Sequence, residues 1–440
     1  RTMFLPLALE FPVNILKLDF GGNTEFFRYW REVIEILKAM PQSLRDSNRT
    51  FNHHVAISCR RVVKMKEYFD ATVDERRELL KYAISRIEYS IYSLNKTQDD
   101  ESDLNLFNSL SLAYQDLAEL EQSQGATDED VRELRQKAEA AAKRAHDEGP
   151  SNSYVLETMA RSILQNGELY ADDAVRSASE ALGYIYQALS LDRSELRQSQ
   201  LTQLANRALR LLRSSDASIQ VTKLCASGNP LGLLARAWLA LTNGVEVLEQ
   251  YNFDEFPPEN RNSALAILDE ATEGLTWLLL RFKYDLISVT DPFAFDIQLN
   301  VLDELENAGY RMSYQLQLER AILLHQRGRH HDANSRFNSL RRELKKFDVI
   351  VSVPKRLQWL LTSDTTGRQV CEFTVINDTG YRAMAKVRDL GNATGVPLIP
   401  QEFGKTRMGV RETRKCYITF GPMGPFIKPA LPQEKTRAAK

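Results

Sequence analysis

Gln369-Val370-Cys371-Glu372-Phe373-Thr374-Val375-Ile376, then Asp378-Thr379-Gly380, then Tyr381-Arg382-Ala383-Met384-Ala385-Lys386-Val387 is where the chain changes from helical to strand periodicity. In both runs apolar and polar residues alternate, which places one set of side chains on each face of an extended strand. Asp-Thr-Gly between them supplies the turn, so the stretch predicts a β-hairpin with strands at 369–377 and 380–389. Further strands are read at 395–399, 414–421 and 424–429, the last pair bent by Gly421, Pro422, Gly424 and Pro425. Five short strands with glycine at the bends suit a small closed barrel over 366–430, of the oligonucleotide/oligosaccharide-binding (OB) type, with an SH3-like barrel as the near alternative. Residues 431–440 read as a disordered tail.

On the N-terminal side of Thr366 the period changes. From about residue 25 to 363 apolar residues recur at helical spacing, in paired segments with short polar breaks. Phe26 to Leu37 forms an amphipathic helix stopped at Met40-Pro41, and Arg49 to Ala56 reads as a strand leading into a helix. Regular helices begin at Val73. Thr127 with Asp130 gives a capping-box-like start to an alanine-rich helix that Gly149-Pro150 ends. Pairs follow at 151–165 with 171–191, then near 195–225, 230–251 and 260–285. In the pair at 311–345, Ala321, Leu324, Gly328, Ala333 and Phe337 repeat the small, large, turn, small, large order of tetratricopeptide units. Small residues let two helices approach, and Gly328 permits a positive φ at the turn. The expected class is mostly α: an α-solenoid of tetratricopeptide-like helix pairs over 66–363, followed by the barrel, with 1–65 the remnant of a preceding domain (winged-helix-like or linker helices). A plain helical bundle is the alternative for the helical part.

The chain has 440 residues, 43% hydrophobic and 26% charged, with a formal charge of −2. That composition is globular, and the length calls for more than one folding unit. The charge is unevenly placed: from Thr366 to Lys440 there are 13 basic and 6 acidic residues, +7, which leaves −9 on the first 365. A basic barrel on an acidic array points to an anionic partner at the C-terminal end. Cys59, Cys225, Cys371 and Cys416 lie far apart in sequence and show no zinc-ligand spacing, which predicts buried thiols in a reducing compartment. The longest apolar stretches fall short of the ~18 residues that span a bilayer. The expectation is a cytoplasmic protein with no membrane segment.

On the second strand Arg382, Lys386 and Arg388 alternate with Ala383, Ala385 and Val387, which turns a basic face outward. The loop Phe403-Gly404-Lys405-Thr406-Arg407 and the residues Arg411, Arg414 and Lys415 add charge. The candidate partner-binding set is Tyr381, Arg382, Lys386, Arg388, Phe403, Lys405 and Arg407. Phosphates would meet the cations, and Tyr381, Phe403, Phe420 or Phe426 would stack on bases. Docking to a protein surface and a solvated barrel face are the alternatives. Gly404-Lys405-Thr406 resembles the end of a P-loop, but Ile399 stands where the first glycine belongs and no helix pattern follows. Adjacent His53 and His54 point in different directions and share no metal. His325, His330 and His331 read as solvated turn residues. No catalytic, cofactor or metal site is expected in this chain.

A degenerate repeat array followed by Gly380-Tyr381, Val396-Pro397-Leu398-Ile399-Pro400, Phe403-Gly404 and Phe420-Gly421-x-x-Gly424-Pro425 resembles the C-terminal half of STAND-type signalling NTPases. It is similar in particular to bacterial antiphage proteins and to animal sterile-alpha-motif-containing antiviral proteins. The opening segment, with Leu5-Pro6-Leu7 and Arg49-Thr50-Phe51 through Arg60-Arg61, resembles the region that follows the NTPase there. The chain begins with Arg1 and so reads as one piece of a larger polypeptide. The resemblance implies a sensor and scaffold that binds a protein or nucleic-acid trigger and controls oligomerisation of upstream domains. A free-standing RNA-binding or regulatory adaptor is the alternative. The implied partners are the upstream domains, a protein trigger, single-stranded nucleic acid at the barrel and a second copy of the chain. In departure from the pattern, 366–430 lacks the paired aromatics with which cold-shock-like domains stack bases, and the chain has no NTPase motif.

Overall fold

A computed structural model describes residues 30–39, 41–45, 48–64, 69–94, 102–169, 173–191, 195–214, 217–243, 253–270, 276–347, 350–362, 367–390 and 395–430. Leu5-Pro6-Leu7, Thr366 and the 431–440 tail lie outside them. The chain forms two compact units, Arg1–Glu255 and Phe256–Lys440.

In the first unit the helices are α1 (Trp30–Ala39), α2 (Gln42–Arg45), α3 (Arg49–Lys64), α4 (Val73–Tyr92), α5 (Asp103–Ser123), α6 (Asp128–Glu148), α7 (Ser153–Leu169), α8 (Ala174–Leu191), α9 (Glu195–Leu212), α10 (Ala217–Ala226) and α11 (Pro230–Leu241). From α3 to α9 each packs on the next, as in a solenoid of helix pairs. Residues 49–56, expected as a strand, form the start of α3. Phe51, Val55, Ala56, Cys59, Val62 and Val63 are buried along it. That stripe has the helical period, and its burial against α4 and α5 outweighs the β preference of the single residues.

Capping chemistry fixes the helix starts. Thr72 accepts from the Glu75 amide while Glu75 accepts from the Thr72 amide, and Thr127 accepts from the Asp130 amide. Each such cap is worth about 1 kcal/mol. Ala138, Ala141, Ala142 and Ala145 of α6 are buried, the small residues through which α5 and α7 come close. Several polar groups buried on α3 have partners on neighbouring helices. Arg49 pairs with Asp103, His53 Nε2 lies 2.7 Å from Ser109 Oγ, and Arg60 and Lys64 converge on Asp116 at 2.8 and 2.6 Å.

The second unit contains α12 (Pro258–Asp269), α13 (Trp277–Thr290), α14 (Phe295–Asn307), α15 (Tyr314–Gln326), α16 (His330–Phe347), and strands β1 (Val370–Asp378), β2 (Ala383–Val387), β3 (Val396–Leu398), β4 (Thr413–Gly421) and β5 (Gly424–Pro429). The strands close into a barrel in the order β1-β2-β3-β5-β4, with β3 and β5 parallel and the other pairs antiparallel. Cys371 and Cys416, distant in sequence, face each other across β1 and β4.

Ala321, Leu324, Ala333 and Phe337 are buried between α15 and α16, and Gly328 has φ 73°. The barrel shares one core with these helices, continuous from Leu280 through Phe337 to Ile427. Two expectations fail here. Residues 350–362 are not helical: apart from one short turn they run extended, because Leu360 and Phe420 exchange amide bonds with Ile418 and Gln358 across to β4. His325 is not solvated but fully buried, its ring 5.1 Å from Phe420 and 4.6 Å from His330. The turn at Gly328 folds α16 back on α15, which brings together rings that one continuous helix would separate. Burial holds the His325 imidazole at a pKa of about 3, with nearby His330 adding to the effect.

A buried network ties the extended segment to the helices. Arg356 donates to Gln298 Oε1 at 2.8 Å and to Glu319 Oε2 at 2.9 Å, and Tyr284 donates to Glu319 Oε2 at 2.6 Å. Beside it Arg281 and Asp285 pair at 2.8 Å. Charges this deep persist only with their partners in place.

Candidate recognition surface on the barrel

One end of the barrel is built from the β1–β2 turn and the loop 404–412. Asp378 organises it: one carboxylate oxygen accepts from the Gly380 amide at 2.6 Å and the other from the Met408 amide. Thr379 closes the turn by donating through its amide and hydroxyl to the Arg382 carbonyl, at 3.1 and 2.8 Å. Gly380 sits at φ 89°, a conformation that costs glycine little. The Arg407 guanidinium lies against it, Nε being 3.6 Å from where a Cβ at 380 would stand. Arg411 also has positive φ, 71°, and its amide donates to the Val375 carbonyl at 2.8 Å. Met408, 3% exposed, anchors the loop in the core.

Glu412 fixes the loop's other side. It accepts from Lys405 at 2.7 Å, from Arg414 at 2.6 Å and from the Gly409 amide at 3.0 Å. The Lys405 bond first, then the Gly409 amide and Arg414, hold its carboxyl at a pKa of about 2.

Presented on this frame are Tyr381, 87% exposed, Val410, 61%, and Ile376, 44%. Arg382, Arg407 and Arg411 are exposed around them and make no ion pair among the described residues. An aromatic ring, apolar side chains and unpaired guanidinium groups on a pinned backbone are what a binding hot spot requires.

The candidate residues named from the sequence separate into groups. Tyr381, Arg382 and Arg407 share the turn end. Lys386 is exposed near the end of β2, opposite Thr374. Arg388 is about 20 Å of strand from Arg382 and pairs with Glu372 at 3.1 Å. Lys405 is held by Glu412. Phe403 is half-buried, its ring edge-on to Phe373 at 5.5 Å. Phe420, expected to offer a face to bases, is 4% exposed and lies in the core. Ile376 and Val410 were not foreseen as part of a surface, and Arg411 was foreseen only as added charge. The positive φ that aims Arg411 has no sequence signal, since arginine rarely adopts it.

In the first unit an open cleft of about 180 Å³ lies among α6, α7 and α8, lined by Arg132, Glu139, Asn166, Arg176 and Glu180. Burial raises the Glu180 carboxyl, and Arg176 opposes the shift. Among the described residues no group of His, Cys, Asp and Glu is placed to hold a metal ion. No described helix is long and apolar enough to cross a membrane.

Residues 1–63 match the family described as Novel STAND NTPase 7. Among solved structures the chain is similar to the crystal structure of yeast Tom70, at 14% identity over 76% of this chain and 74% of that one, with a TM-score of 0.22. No curated protein matches.

Proposed function

We propose that this chain is the sensing and scaffolding part of a STAND-type signalling NTPase, and that the end of the barrel carrying Tyr381 contacts the trigger. The observation that carries the reading is the STAND NTPase family match over residues 1–63, directly ahead of a helical array that ends in a barrel. In this reading the array links the NTPase to the barrel and has no chemistry of its own. The trigger shifts the NTPase toward an oligomeric state by binding that state more tightly. A cytoplasmic defence role against phage or virus fits the same layout.

The test is mass photometry and nucleotide hydrolysis on the polypeptide in which the NTPase and this chain are continuous, with and without a lysate containing the trigger. Tyr381→Ala together with Arg382→Glu should leave the resting mass unchanged and abolish the triggered assembly. Assembly that proceeds unchanged in the double variant rejects the barrel end as the contact. A polypeptide that neither binds nor hydrolyses nucleotide rejects the whole reading.

A further inference from the structure

Trp359, Arg368 and Tyr417 come from three separate places in the sequence and form one cluster on the outside of the barrel. Trp359 stands opposite Thr419 of β4, beyond the point where β1 begins with Val370 opposite Tyr417. Residues directly opposite share a face of the sheet. Trp359, Thr419 and Phe426 therefore form one row on the outer face of the sheet, with Thr419 itself covered, Val370, Tyr417 and Lys428 the next, and Glu372 and Lys415 a third. Arg368, held by its bridge to Leu361, sets its guanidinium carbon 3.8 Å from the Trp359 ring centre and 5.8 Å from that of Tyr417. The two rings meet edge to face at 6.3 Å.

Arg368 and Lys415 are exposed, and neither makes an ion pair among the described residues. Glu372, across from Lys415, is already bonded to Arg388, and Lys428 is bonded to Glu402. The guanidinium is a rigid plane, and here it sits over the Trp359 indole on a side chain that is exposed. Such a plane stacks a nucleic-acid base, and a cation one row away meets a phosphate. The excess of seven positive charges over Thr366–Lys440 selects an anionic polymer over a neutral protein surface. Stacking needs an unpaired base, which selects a single strand.

We propose that this face binds single-stranded nucleic acid, with a base on the Arg368 guanidinium backed by Trp359, a second against Tyr417, and a phosphate at Lys415. The inference goes beyond the sensor reading, because it requires no NTPase and stands if that reading falls. It also moves the nucleic-acid contact away from Arg382, Lys386 and Arg388.

The test is fluorescence anisotropy of the full chain with a labelled oligouridylate, and separately an oligothymidylate, about 12 nucleotides long, at about 50 mM and 200 mM salt. Binding should weaken with salt at a logarithmic slope of about −1 to −2, the value for one to three phosphates. Tyr417→Ala should weaken it about tenfold. Arg368→Lys keeps the charge and loses the plane, and should weaken it about fivefold or more with circular dichroism unchanged. Lys415→Ser should flatten the salt slope, and Lys386→Ala should stay within about twofold of the parent, since it lies off the proposed track. The proposal is overturned if neither oligonucleotide binds at the lower salt, the face then belonging to a protein partner. It is equally overturned if a duplex of the same length binds as well, or if Arg368→Lys binds like the parent.

Discussion

Phe420 of β4 stacks on Phe337 of α16, ring centroids 6.4 Å apart and planes inclined by 11°. Both rings are nearly fully buried, and Gly424 of β5 packs on the same phenyl ring. The barrel is thus seated on the last helix pair through aromatic contacts, and the two elements cannot melt independently without exposing them. Phe420→Ala should destabilise the second unit by about 3–5 kcal/mol, as should Phe337→Ala. The double variant should fall short of the sum, because the second truncation removes a partner already lost. Urea unfolding followed by near-ultraviolet circular dichroism checks this, and strict additivity would show that the rings do not act together.

Arg356 carries the second connection between the extended segment and the helices. Its guanidinium is shared by Gln298, Glu319 and, at 3.3 Å, the Tyr284 hydroxyl. Arg356→Ala strands the Glu319 carboxylate in a buried site and should cost about 3–5 kcal/mol. Arg356→Met with Glu319→Gln removes both charges and should recover much of that loss. Equal stability of the single and double variants in urea titration would show that the charge on Glu319 is solvated after all.

How far the sequence reaches is clear from particular residues. Period-2 alternation at 369–376 and 381–387 locates β1 and β2 to within a few residues, Gly328 is identifiable as a positive-φ position, and Gly380 as part of a turn. Such signals are local, which is why they survive translation into structure. Trp359 was missed as a barrel residue because its strand-like pairing is with β4, 60 residues on, and its own neighbours show no alternation. The buried state of His325 was missed because it depends on how two helices fold about a turn. Arg356 beside Glu319 and Asp378 beside Met408 are likewise products of the fold, and no spacing rule announces them. Conversely, 49–56 reads as a strand leading into a helix, although Phe51, Val55 and Cys59 already stand four apart and are buried along one face of α3.

His325 gives a pH prediction with a definite sign. Its folded pKa, about 3, lies below the model-peptide value of 6.5 because burial disfavours the cation and His330 opposes it further. The unfolded chain therefore binds the proton first. The neutral ring's contribution is intact above pH 6.5 and is lost progressively as the pH falls toward 3. Between pH 7.5 and 4.5 the second unit should lose about 2–3 kcal/mol from this group. In His325→Leu that part of the loss should disappear, read as a smaller shift in urea midpoint over the same interval. An identical shift in both proteins would assign the acid sensitivity to other groups.

Asp378 holds the proposed contact surface in shape from beneath, since its two oxygens join the β1–β2 turn to the 404–412 loop through the Gly380 and Met408 amides. Asp378→Ala leaves both amides without that acceptor and should cost about 1–3 kcal/mol locally. Because Met408 remains buried and the barrel ladders are untouched, the loss should be confined to the barrel end. Hydrogen exchange at Gly380, Met408 and Arg411 should speed by about tenfold or more, while amides of β4 and β5 keep their protection. Trigger binding should weaken in the same variant although no contact side chain has changed, because Tyr381 and Arg407 must then be ordered at the moment of binding. Unchanged exchange at Met408 would show that the loop is held by Met408 packing and the Glu412 bonds alone.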